Sequence, residues 1–154
     1  MDCYTFSAPI KGEQYRELLE FGCVTSSRAS LVVRDPDIDA GASIDAILAT
    51  LRPFEVSKDQ VREWPGTQLL RGTAVLYSYA TSAGLCSLLG SLRPGLLDWI
   101  HPEAPEDLCF VRETGEPILV SISHENDSYL LLTESEKELL DKRFPDLSRM
   151  LVLE

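Results

Sequence analysis

The 154-residue chain is most informative through what it lacks. No apolar run approaches the roughly 20 residues that cross a bilayer, and the opening Met-Asp-Cys-Tyr-Thr-Phe has neither the basic end nor the apolar stretch of a secretory signal. A cytosolic location is the expectation. Positive charge is scarce, with 14 Lys and Arg against 25 Asp and Glu, a formal charge of −11 and a pI near 4.6. Such a chain repels phosphate backbones and anionic lipid, so nucleic-acid and membrane-surface roles start at a disadvantage. The four cysteines, Cys3, Cys23, Cys86 and Cys109, contain no C-x-x-C pair and no zinc-ligand spacing. They are expected to be small core residues in a reducing compartment. No phosphate-cradling glycine loop, serine-hydrolase elbow or H-E-x-x-H helix occurs, and neither a cofactor nor a metal is expected.

One string resembles a calcium loop, Asp35-Pro36-Asp37-Ile38-Asp39. It fails where coordination geometry is demanding: Ala40 stands where the sharp turn needs glycine, and Ala46 where the bidentate Glu belongs. An acidic loop leading into a helix is the plainer interpretation.

No repeat, low-complexity tract or long linker divides the chain, so residues 1–154 are expected to form a single domain. Apolar residues recur at helical spacing in four segments: around Tyr15, Leu18 and Leu19; at Ile44, Ile47, Leu48 and Leu51 with Ser43 as N-cap; at Leu85, Leu88, Leu89 and Leu92 after Thr81 and Ser82; and at Leu139 and Leu140 behind the capping box Thr133-x-x-Glu136. Leu147, Met150 and Leu151 suggest a last helical turn. Residues 29–34 and 74–79 have strand composition, and Tyr4 and Phe6 suggest a further strand. Residues 108–112, 118–124 and 129–132, separated by two turns, predict a three-stranded antiparallel meander. The expected fold is α+β: a mainly antiparallel sheet with that C-terminal meander and about four helices packed on one face.

Two features compete for a functional role. The first is charge: between positions 98 and 127 eight acids, Asp98, Glu103, Glu106, Asp107, Glu113, Glu116, Glu125 and Asp127, face a lone Arg112, leaving that stretch at −7. It is either a solubilising surface or a dock for a basic partner protein, with Trp99 as an apolar anchor among the acids. Trp64, in Trp64-Pro65-Gly66, is a second tryptophan at an expected loop position, either an anchor or a lid on the core. The second feature is histidine. Of His101 and His124, the former sits in a proline loop and is expected to be structural, while meander register places His124 in a cross-strand row with Glu106 and Tyr129. That row is either a satisfied sheet end or an acid–base site with Glu125 and Asp127 beside it. A Cys109–His124 dyad is excluded because the same register separates the two by about 12 Å along the strands.

The resulting expectation is a non-catalytic acidic binding module, in its most concrete form an immunity-type inhibitor of a basic toxin or nuclease. The alternative is a small enzyme or ligand-binding domain with a His124/Glu106 acid–base site.

Overall fold

A computed structural model describes residues 1–34 and 41–154. The calcium-like string at 35–39 lies outside the described residues. In chain order the elements are β1 (Asp2–Phe6), α1 (Gly12–Thr25), β2 (Arg28–Arg34), α2 (Ala42–Leu51), β3 (Glu55–Val61), β4 (Glu63–Trp64), β5 (Thr67–Gln68), β6 (Ala74–Ala80), α3 (Ala83–Leu92), β7 (Glu106–Val111), β8 (Pro117–Ile122), β9 (Asp127–Leu132), α4 (Glu134–Arg143), α5 (Pro145–Ser148) and β10 (Leu151–Leu153). Eight strands form one sheet in the order β10-β1-β9-β8-β7-β2-β6-β3, each neighbour antiparallel, and β4-β5 is a separate small hairpin. The fold is α+β. No described helix is long and apolar enough to cross a membrane.

Side-chain alternation along β2 divides the interior. Leu31 joins a large core with helix residues Leu18, Leu19, Leu51, Leu85, Leu89 and Leu140, whereas Val32 joins a second, smaller cluster with Trp64 and Ala74. The helices therefore cover one face of the sheet, and the β4-β5 hairpin covers part of the other. Gly66 seats that hairpin: its φ is 85°, and an added Cβ would stand 2.7 Å from Val120 Cγ1 and 2.9 Å from Ile122 Cγ1. Trp64 is accordingly buried in a strand rather than exposed on a loop. Trp99 is fully buried too, its indole N–H donating at 2.9 Å to the Tyr15 hydroxyl.

Local signals account for several boundaries. The Ser82 side chain caps α3 by accepting from Leu85 N, and the Thr133/Glu136 capping box opens α4 with both reciprocal bonds formed. Helix α2 starts one residue before the expected Ser43 cap, with Gly41 at the N-cap position. After α5, Met150 and Leu151 leave the helical path; Ser7 N bonds Met150 O, and β10 pairs with β1.

The packing of α1 on the sheet yields a prediction whose sign is diagnostic. Gly22 lies inside a helix, where alanine ordinarily gains about 1 kcal/mol. Here an added Cβ would meet the fully buried Phe110 ring at 2.4 Å. Overpacking wins, so Gly22→Ala is expected to lower stability in urea denaturation by about 2 kcal/mol; a stabilised variant would refute this packing.

Candidate functional site

The end of the sheet where β7 starts and β8 finishes gathers five side chains from distant parts of the chain. Arg34, the last residue of β2, is the hub. Its Nε donates to Glu106 Oε2 at 2.7 Å, its Nη2 donates to His124 Nδ1 at 3.1 Å, and the same nitrogen lies 3.7 Å from Asp107 Oδ2. The guanidinium also stacks over Trp64, 4.9 Å from the ring centroid. Glu106 and Asp107 are buried, so both carboxylates need compensation, and Arg34 is the cation that supplies it.

Each carboxylate oxygen of Glu106 and Asp107 has a structural partner. Asp107 accepts from Trp64 Nε1 at 2.9 Å on one oxygen and from the Ser123 backbone N–H at 2.8 Å on the other. Glu106 Oε1 takes a longer bond from the His101 backbone N–H, 3.4 Å. Asp107 sits at φ 59°, a left-handed conformation that Asp tolerates better than most residues. His124 accepts through Nδ1, which fixes the tautomer with hydrogen on Nε2. That Nε2 lies 3.9 Å from Glu125 Oε1 on a side chain 41% exposed.

Glu106, Asp107 and His124 each offer a ligand atom within 4.8 Å of the others. The Arg34 guanidinium already stands among these atoms, so a metal would have to displace it and leave an arginine uncompensated. The arrangement holds a guanidinium as its resident cation. Among the described residues, Glu106, Asp107 and the Nδ1 of His124 are engaged by Arg34, Trp64 and backbone N–H groups, while the Nε2 of His124 faces solvent near Glu125. A well-formed cleft of about 680 Å3 lies elsewhere, between α1 and α3, and none of the cluster residues lines it.

The structure brings His124 to Glu106 through Arg34 but leaves Tyr129 out of the row. Tyr129 pairs with Val120 and Thr5. The cause is local: residues 123–125 form a tight 3-10 turn closed by Asn126 at φ 55°, so the chain reverses early and β9 begins at Asp127. Cys109 faces Ser30 across the β2-β7 pairing, and full burial pushes its thiol up to about 12.

The acids of 98–127 do not share one face. Glu125 and Asp127 are exposed at the site's end of β8, and Glu103 is exposed on the segment leading into β7. Glu113 and Glu116 are exposed in the turn at the opposite end of β8, about 20 Å away along six residues of strand. Asp98 is half-buried beside Gly95, near Tyr15. Trp99, Glu106 and Asp107 are buried and offer a partner no surface. Arg112, the lone base of the stretch, is consumed internally: it donates to Pro117 O and Leu131 O at 2.8 Å each and pairs with Glu136.

Arg34, Trp64 and Ser123 carried no sequence signal for this site, because the contacts that recruit them follow from sheet order and from the hairpin's seat. Compared with known families, curated proteins and solved structures, the chain matches none.

Proposed function

We propose that this protein is a non-catalytic acidic binding module that docks a basic partner protein at the Arg34 end of the sheet. The observation that supports it most is an imbalance of charge. Buried Glu106 and Asp107 share one cation, Arg34, while exposed Glu103, Glu125 and Asp127 around them form no ion pair with any Lys or Arg among the described residues. Among these described residues, five carboxylates with one guanidinium leave a surplus of about four negative charges, which steers a cationic surface toward that end. An immunity-type inhibitor of a basic toxin or nuclease is the most concrete form of this reading, since clustered carboxylates imitate the phosphates such a nuclease seeks. The acid–base alternative has less support, because the groups it requires are committed to Arg34, Trp64 and Ser123.

The test is affinity capture from native lysate at low and high salt with two charge reversals compared. The triple variant Glu103→Lys/Glu125→Lys/Asp127→Lys is expected to lose a basic protein that wild type retains at low salt. The variant Glu113→Lys/Glu116→Lys, at the far end of β8, is expected to keep it. Capture of nothing, or of a protein indifferent to the triple reversal, contradicts the proposal.

A further inference from the structure

The cleft between α1 and α3 contains chemistry that the acidic end does not use. Cys23, in the last turn of α1, and Cys86, in the first turn of α3, both line it, together with the apolar Leu19, Val24 and Phe144. The two residues sit in facing turns of the packed helices, one turn from the point where an added Cβ at Gly90 of α3 would stand 3.4 Å from Leu19 Cδ1 of α1. Thus two cysteines 63 positions apart meet across a helix pair at the wall of a solvent-connected cleft.

We propose that Cys23 and Cys86 are a peroxide-responsive pair that closes to an intramolecular disulfide joining α1 to α3. The Cys86 thiolate attacks one peroxide oxygen; the O–O bond breaks, hydroxide leaves, and Cys86 becomes a sulfenic acid. The Cys23 sulfur then attacks the Cys86 sulfur, the S–O bond breaks, and the departing hydroxide takes the Cys23 proton as water. Two thiols and one hydrogen peroxide become one disulfide and two waters, so no further reductant or oxidant is needed.

The order of attack follows from the pairing. The neighbouring Cys23 thiol holds the Cys86 thiol below its ordinary value although burial and Glu20 oppose this, with Arg16 assisting, while Cys86 and burial together push Cys23 up. Cys86 is the nucleophile and Cys23 the resolving thiol. The remaining cysteines are poorer targets. Cys109 is fully buried, and the Cys3 thiol is raised by burial and by the negative charges of Glu154 and Asp127.

The test exposes the full chain to a small excess of hydrogen peroxide and follows free thiols and intact mass. Free thiols are expected to fall from four to two, with a mass loss of about 2 Da, a cross-linked Cys23–Cys86 peptide, and full reversal by dithiothreitol. Cys23→Ser should instead leave Cys86 as a sulfenic acid captured by dimedone, and Cys86→Ser should slow thiol loss at least about tenfold. A thiol count that stays at four, a cross-link that includes Cys3 or a second chain, or direct over-oxidation of Cys86 with Cys23 still free would each overturn the assignment. Because wild type alone gives the primary readout, poor folding of a serine variant does not rescue the idea. None of these outcomes depends on the docking surface.

Discussion

Asp107→Ala is expected to destabilise the fold by about 4 kcal/mol, the largest effect of any single substitution at the acidic end. Removing this fully buried carboxylate strands the Trp64 indole N–H and the Ser123 backbone N–H and deprives Arg34 of one of its two counter-charges. Asp107→Gly should cost about 1 kcal/mol less, because the position sits at φ 59° and glycine accepts that conformation without strain. Urea denaturation measures both. An independent readout is hydrogen exchange at the two indoles: exchange at Trp64 is expected to accelerate while Trp99, bonded to Tyr15, stays protected. A loss below about 1 kcal/mol for the alanine variant would show that the hairpin does not rely on this carboxylate.

Arg112→Met is expected to cost about 3 kcal/mol, at the lower end for breaking a buried pair because the arginine and Glu136 side chains keep 12% and 16% of their exposure. The guanidinium ties Pro117 O in β8 to Leu131 O in β9 and to the residue that completes the capping box of α4, so sheet and helix loosen together. The double variant Arg112→Met/Glu136→Leu should recover part of this loss, though the two carbonyls still lack the bonds from Arg112. Burial alone would raise the Glu136 carboxyl, but hydrogen bonds from Arg112 and Thr133 outweigh it and hold the group below its ordinary range. A lowered folded-state value means stability that is fully present above about pH 4.5 and lost as pH falls through the lowered value. Glu136→Gln is therefore expected to be less sensitive to acid than wild type over that window. An unchanged acid limb would contradict the assignment.

Much of the architecture was legible because local physics decided it. The Thr133–Glu136 box, the leucine stripe from Leu85 to Leu92 and the strand composition of 29–34 and 74–79 specify their elements without tertiary help. Strand β3 was not legible: Glu55-Val56-Ser57-Lys58-Asp59-Gln60-Val61 is a hydrophilic edge strand, and charges on an edge discourage pairing with other chains rather than advertise a strand. The β4-β5 hairpin has only two residues per strand, too few to show alternation, and β10 has three. At the site, the approach of His124 to Glu106 followed from one hairpin register, whereas Tyr129 was misplaced by the left-handed Asn126 that shortens the turn. Arg34 reaches Glu106 across 72 positions and Trp64 reaches Asp107 across 43, contacts set by strand order, which periodicity does not encode. For the two tryptophans the sequence left open an interface anchor or a lid on the core, and both rings are buried, Trp99 in the large core and Trp64 in the smaller cluster.

Once the basic partner is in hand, the decisive measurement is its association rate constant with the wild-type protein and with Glu103→Lys/Glu125→Lys/Asp127→Lys as ionic strength rises. Steering by the Arg34 end predicts a wild-type rate that falls at least about tenfold between low and physiological salt, and a reversed variant that is slow at low salt and nearly insensitive to it. Equal rates for the two proteins, or a wild-type rate indifferent to salt, would contradict docking at this end of the sheet.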